Sequence, residues 1–380
     1  MIKKCNMKIL YYFREEESYM YQWQRMHIFN ELEKYGHSIS TFNPILYQSV
    51  EEANSSFLKE LSKNHDYDLF MTCVGDVWIY EDTIFSIKKY GIPTLLICFD
   101  NLHVPFVHKR NARYFDLLWL TSSETKYLFE KWGCKNIIIQ SYAANPFIFR
   151  PKIIETMDNG VAFIGTAYGS RINKLNELLS NKVICNLYSS LTVGENENRR
   201  LDIIERWLSI PNKLNNIVPM LGFPIGRKVI YSAFLNKIIK DKGSLIQNDY
   251  LNIYPSVSFE EMISIYSSTS LSLNVTELRN TYVLSEPIHK IHLRTFEIPM
   301  CGGLQFASYT EELSSYFEED KEIILYRDKE EFISKAFFYT DKKRNSLVDK
   351  MKYAARYRAE SQHTWYCRFL NVFKYLHLGN

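Results

Sequence analysis

Short apolar runs alternate with longer amphipathic ones along this chain. MKILYYF (7–13) is strand-like, and YQWQRMHIFNELEKYG (21–36) repeats its apolar positions at helical spacing until Gly36 stops it. HSISTFNP then reads as a second strand. The rhythm continues with a helix at 51–63, strand DLFMTCV (68–74), a helix at 81–90, strands PTLLICF (93–99) and DLLWLTS (116–122), a helix at 123–132 and strand NIIIQSY (136–142). Strands alternating with helices predict an α/β fold with a mostly parallel, doubly wound sheet, because each parallel pair needs a crossover.

NPFIFRPKIIETMDNG (145–160) breaks this rhythm with two prolines and a closing Asp-Asn-Gly, as an interdomain linker would. A second cycle follows. It comprises strand VAFIG (161–165), helix RINKLNELLS, strand KVICNLY, strand LNIYP, helix FEEMISIYSS, strand LSLNVT (271–276), strand LQFAS, helix TEELSSYF, strand EIILY and helix KEEFISKAFFYT. The expectation is two doubly wound domains, 1–150 and 151–355. Residues 191–250 fit the rhythm least. Within them VIYSAFLNKIIKDK (229–242), preceded by Arg227 and Lys228, reads either as a basic helix lying on a membrane surface or as an ordinary solvated face.

Composition narrows the class. A length of 380 residues suffices for two ordinary domains, and 46% hydrophobic with 23% charged residues is a globular balance. No stretch has the roughly 18 uncharged apolar residues of a membrane span, and MIKKCNMKIL runs into YYFREEE without a signal-peptide cleavage site, so a soluble, cytoplasmic chain is expected. The seven cysteines are odd in number and scattered, without zinc-ligand spacing, as reduced thiols would be. A net charge of +3 and dispersed aromatics do not favour nucleic acid.

In open α/β sheets ligands bind beyond the carboxyl ends of the strands, and two such sheets facing each other would make a cleft. That rule places Asp66 and Asp68, a D-x-D pair, at the wrong edge, because both precede their strand. Asp76, Asp100 and His103 follow strands. Asp100 and His103 are candidates for a general base or a substrate-hydroxyl acceptor, with an Asx turn at Asp100 or Asn101 the structural alternative. In FIGTAYGSR, Gly165 leaves room for a phosphate beside the backbone, and Arg171 in the next helix is a charge for that anion or a solvated helix start.

The densest candidate is IHKIHLRTFEIPMCGGLQF (288–306). Pro287 predicts a helix start near it. At 100° per residue Lys290, Arg294 and Glu297 share an arc of about 60°, opposite an apolar stripe. The amino terminus of such a helix would offer free N–H groups to a diphosphate beside His289 and Lys290, and Gly302 and Gly303 would permit a tight exit and close approach of backbone to ligand.

RTFEIPMCGG with YTEELSSYFEEDKEIILYRDKEEF, and further FIGTAYGSR, FEEMISIYSSTSLSLN and HTWYCR, resemble the CgeB-like (spore-maturation-protein-like) glycosyltransferases, relatives of glycosyltransferase family 4. The resemblance covers most of 155–370. It implies the GT-B fold, two Rossmann-like domains facing across a cleft, with the last helix, about 356–380, crossing back to the first domain. It also implies transfer of a sugar from a nucleotide-diphosphate donor, UDP or GDP foremost, to a glycan, lipid-linked or protein acceptor, with no metal or other cofactor required and with peripheral contact at the cytoplasmic membrane face. Glu297 matches the second glutamate of the E-x7-E motif, which binds the donor ribose, whereas His289 stands where the first would be. Arg171, Lys290 and Arg294 become diphosphate contacts. Two alternatives stay open: a GT-B nucleotide-sugar epimerase, and a non-catalytic glycan- or partner-binding relative.

Overall fold

A computed structural model describes residues 6–16, 19–189, 217–239 and 244–379; the irregular segment 190–216 and residues 240–242 of the basic run lie outside the described residues. The chain forms two compact units, 1–148 together with 364–380, and 149–363.

The first unit holds a six-stranded sheet of β1 (Lys8–Tyr12), β2 (Ser38–Phe42), β3 (Leu69–Thr72), β4 (Thr94–Cys98), β5 (Leu117–Leu120) and β6 (Ile137–Ile139) in the order β2-β1-β3-β4-β5-β6. All pairs are parallel. Helices cover both faces, so β3, β4 and β5 are buried at every position and read as continuous apolar runs, without alternation. The periodic stretch 21–36 is α1 (Tyr19–Gln24), a π-helical turn (Arg25–Phe29) and α2 (Asn30–Lys34) in succession. The wider turn buries His27, Ile28 and Phe29 together. α3 (Val50–Lys63) starts where Ser49 accepts from the Glu52 amide at 3.1 Å, and packs Phe57 and Leu61 into the core; α4 (Glu81–Lys89) and α5 (Lys126–Lys131) follow.

The second unit repeats the scheme with β7 (Asp158–Ile164), β8 (Cys185–Tyr188), β9 (Leu251–Tyr254), β10 (Thr269–Asn274), β11 (Gln305–Ser308) and β12 (Ile324–Tyr326), again all parallel, in the order β12-β11-β10-β7-β8-β9. Its described helices are α6 (Ser170–Ser180), α7 (Pro224–Ile238), α8 (Phe259–Ser268), α9 (Arg294–Met300), α10 (Glu311–Tyr316), α11 (Lys329–Thr340) and α12 (Asn345–Gln362). α8 opens with a capping box between Ser258 and Glu261.

Two expectations fail here. Asp-Asn-Gly does not close a linker; β7 already begins at Asp158, whose carboxylate accepts from the Asn186 amide, and Gly160 suits a tight approach, since a Cβ would lie 3.2 Å from the Ile184 carbonyl. Nor does a helix start at Pro287. α9 begins only at Arg294, since residues 288–290 take β-type partners instead.

The last helix, α13 (Trp365–Tyr375), belongs to the first unit. HTWYCR holds it there. Thr364 caps the Cys367 amide at 3.2 Å, and Trp365 is fully buried against Trp23 and Trp119. Arg368 donates to the Ser141 and Tyr142 carbonyls at 3.2 and 3.3 Å. Glu31, itself fully buried, accepts from the Trp365 and Tyr366 amides at 3.2 and 2.8 Å, a carboxylate at the positive end of a helix.

Burial nonetheless outweighs those hydrogen bonds and pushes the Glu31 carboxyl up to about 8 from its ordinary 4.5. A pKa raised in the folded state means that the native chain holds this proton longer than the unfolded one, so the contribution is present below pH 4.5 and is lost as pH rises towards 8. Glu31→Gln keeps an acceptor without the charge. Its melting temperature should therefore fall less than the wild type's between pH 5 and pH 8 (a span of about three units); superimposable profiles would refute the assignment.

Candidate functional site

In the second unit the chain lays β7, β8 and β9 outward in one direction, then returns to lay β10, β11 and β12 in the other. The loops after β7 and β10 therefore diverge at the carboxyl ends of these two strands, the place where doubly wound sheets bind ligands.

Two guanidinium groups meet there. Arg294, the first residue of α9, donates to the Ile164 carbonyl at 2.6 Å, and Arg171, from the first turn of α6, donates to the Thr166 carbonyl at 2.8 Å. Both lie over the Phe163 ring, at 5.5 and 5.6 Å from its centre, and Arg171 also covers Tyr168 at 4.5 Å. Carbonyl oxygens and ring faces thus hold the two cations, with no carboxylate among these direct partners. Burial, and next the charge of Arg294, lower the pKa of Arg171. Gly165 makes the approach possible: its φ is +134°, and a Cβ would stand 3.0 Å from Arg294 Nη2. α6 starts beside this pair at Gly169, which provides no side-chain cap, and the Arg171 amide donates to the Tyr168 carbonyl at 3.1 Å.

Beyond β10 the backbone forms a short antiparallel pairing that the sequence did not signal. Glu277 bridges His289, the Leu278 amide donates to the Ile288 carbonyl at 2.7 Å, and the Lys290 amide donates to the Thr276 carbonyl at 2.9 Å. His289 Nδ1 lies 2.8 Å from Thr276 Oγ1, and burial lowers its pKa while the Glu277 charge acts to raise it. Glu277 also acts to raise that of Arg171, and its buried Oε2 has no hydrogen-bond partner among the described residues. Residues 288–290 are consequently not a helical first turn, and the shared stripe of Lys290, Arg294 and Glu297 does not form. The helix-end argument for α9 fails as well, because the Thr295, Phe296 and Glu297 amides already bond to the His292 and Leu293 carbonyls at 2.9 to 3.0 Å.

The structure therefore brings Gly165, Arg171 and Arg294 together, with Glu277 and His289 as neighbours. Glu277 was missed, although it is the first carboxylate after the strand LSLNVT and the strand-end rule points to it. Glu297 is 8% exposed on α9, and its charge is felt by Tyr266 and Cys301. Gly302, at φ +70°, and Gly303 pack the exit of α9 against Pro151, Ile298 and Tyr266 of the same unit.

In the first unit Asp100 is exposed at the end of β4, and its carbonyl turns the loop by accepting the Val104 amide at 3.1 Å. His103 is 8% exposed within that loop. Asn101 is its anchor: the amide donates to the Ser122 carbonyl and Thr125 hydroxyl at 2.7 and 2.8 Å, and accepts from the Thr121 and Ser122 amides at 2.9 and 3.1 Å. Asp76 has a similar duty, accepting the Arg110 and Asn111 amides at 2.7 and 3.0 Å. Asp68 accepts the Lys8 amide at 2.7 Å and Asp66 pairs with the Lys8 ammonium, both at the amino edge of the sheet. The switch point here lies between β1 and β3, where the Tyr11 hydroxyl contacts Gln24 and, at 3.3 Å, Cys73, a thiol whose pKa burial raises. Among the described residues no group of three or more His, Cys, Asp or Glu side chains is arranged to hold a metal ion.

Residues 241–373 match a family model described as glycosyl transferase-like. No curated protein sequence shows significant similarity to the chain. Among solved structures, a glycosyltransferase from Rickettsia africae is similar at a TM-score of 0.61 and 12% identity, covering 98% of this chain and 99% of that one. An α-glucosyltransferase in complex with UDP-glucose and DNA containing an abasic site reaches 0.59 at 14% identity, over 98% and 100% of the two chains. Anabaena Alr3699/HepE in complex with UDP-glucose reaches 0.56 at 10% identity, over 98% and 100%. Two six-stranded parallel sheets and these full-length similarities establish the GT-B fold, and residues 241–373 carry the glycosyl transferase-like match.

Asn101→Ala would strip its loop of these buried hydrogen bonds and leave their partners unsatisfied. It should lower the unfolding free energy by about 2–4 kcal/mol, read from urea denaturation; a loss below about 0.5 kcal/mol would mean that the loop is held by something else.

Proposed function

We propose that this protein is a glycosyltransferase that takes a sugar from a nucleotide-diphosphate donor, UDP-sugars being the donor class, and that the site at the carboxyl ends of β7 and β10 holds the diphosphate. One observation carries the reading: Arg171 and Arg294 stand together at the switch point of a GT-B unit and, among the described residues, have no carboxylate as a direct partner. Two cations held close repel each other, and an anion with two phosphate groups relieves that repulsion while accepting their N–H groups. UDP-glucose or UDP in the structures of similar proteins supports the uridine nucleotide.

In the transfer the bond between the sugar's anomeric carbon and the diphosphate breaks, and a bond from an acceptor hydroxyl forms. The nucleoside diphosphate leaves with the extra negative charge, and the two guanidiniums are already oriented to stabilise it, so the reading requires no metal at the leaving group. Asp100, exposed at the carboxyl edge of the first unit's sheet, is the group proposed to receive the acceptor proton. The acceptor class is a glycan, lipid-linked or protein hydroxyl. Glu277 and His289, beside the cations, face the donor's sugar side in this reading; Glu277 supplies there the carboxylate that position 289 lacks.

Calorimetric titration separates the diphosphate contacts from the rest. Arg171→Ala and Arg294→Ala should each weaken UDP binding by about tenfold or more, as expected for hydrogen bonds to a charged group. Uridine binding should stay unchanged, and sugar release from the donor should be insensitive to EDTA. UDP affinity that survives both substitutions would remove the site.

A further inference from the structure

From the second unit we infer an interaction surface: the outer face of α7 docks on an anionic lipid bilayer. The helix spans Pro224–Ile238, fifteen residues. Its inner side is settled by packing. Val229 and Ser232 are buried, and a Cβ on Gly226 would lie 2.1 Å from the Met220 carbonyl. Asn236 accepts the Tyr282 hydroxyl at 2.6 Å.

The outer side is apolar at its centre and basic at its edges. Tyr231, Phe234 and Ile238 are 56%, 60% and 58% exposed. At 100° per residue they fall within an arc of about 60°, with Lys237 about 60° beyond Phe234 and Lys228 about 60° beyond Tyr231. Arg227 stands above Phe234, two turns towards the amino end. Val218 and Leu221, also exposed, extend the apolar surface before the helix, and residues 217–239 contain no Asp or Glu.

Charge complementarity identifies the occupant. No carboxylate in 217–239 offsets Arg227, Lys228 and Lys237, so the face is net positive and fits an anionic surface, where lysine stays at the edge of the apolar centre. Beside lipid headgroups lysine keeps its water and meets phosphate, while aromatic and aliphatic side chains between the lysines enter the acyl boundary. At about 1.5 Å per residue the helix is about 22 Å long, short of the roughly 30 Å hydrocarbon core, so it lies along the surface. No described helix is long and apolar enough to cross a membrane. Docking there also touches the donor side of the unit, because Tyr282, which donates to Asn236, packs at 3.1 Å from the Cβ position of Gly169, the residue that starts α6.

The experiment is co-sedimentation of the full chain with vesicles of phosphatidylcholine alone or mixed with phosphatidylglycerol, across a salt series. Two variants accompany the wild type: Phe234→Ser with Ile238→Ser, and Arg227→Gln with Lys228→Gln and Lys237→Gln, each checked for folding by circular dichroism and melting. The wild type should sediment with the anionic vesicles and be released by salt, and each variant should bind about tenfold more weakly or worse. If the apolar variant does not fold, the charge variant alone decides. Absence of sedimentation, equal binding to both vesicle types, or binding unaltered in the charge variant overturns the proposal. So does a concentration-dependent dimer in wild type that the variants lose without any vesicle binding, since a second copy would then cover the face.

Discussion

Every strand in both sheets runs parallel to its neighbours. The rest of the molecule follows from that constraint. A parallel neighbour cannot be reached by a tight turn, so each connection crosses a face of the sheet, generally as a helix, and delivers every strand's carboxyl end to the same edge. Where the chain reverses its direction of layering, adjacent crossovers part company and the sheet edge opens. In the second unit this happens between β7 and β10, and there the two arginines meet.

Bringing two guanidiniums to one place costs electrostatic energy, and the fold offsets it locally without neutralising the charge. Carbonyls at Ile164 and Thr166 accept one N–H from each, the Phe163 ring presents its negative face to both, and Gly165 removes the side chain that would keep Arg294 away. The Glu277 charge opposes the lowering of the Arg171 and His289 pKa values by burial, yet one of its oxygens has no hydrogen-bond partner among the described residues. In the reading proposed above, the donor's diphosphate and sugar hydroxyls are the groups that would meet these cations and this oxygen.

In the first unit many polar side chains at strand ends serve the backbone. Asn101, Asp76 and Asp68 each receive main-chain amides, and Glu31 receives two from the start of α13. Loops that leave a buried sheet expose amides to an apolar interior, where each unpaired group is costly. A short carboxylate or amide nearby is the usual remedy, and it competes with any catalytic use of the same residue. Asp100 is exposed, whereas its neighbour Asn101 is buried and bonds the loop's main chain.

Local pattern determined much of this protein. The alternation of apolar runs with 3.6-residue periods placed most of the strands and the helices between them, because burial on both faces writes itself into every position of a parallel strand. Gly165 and Arg171 were legible from strand-end position and residue type, whereas Arg294 entered through a helical stripe with Lys290 and Glu297 that does not form, and joined Arg171 only through the family resemblance. Tertiary structure alone decided strand order, and hence that β7 lies next to β10, because order depends on pairings between segments about a hundred residues apart. It decided as well that 288–290 would pair with 276–278 and not wind into a helix after Pro287. A proline permits a helix start, but a neighbouring strand end with free carbonyls offers the same amides a partner, and only the folded chain shows which partner is present.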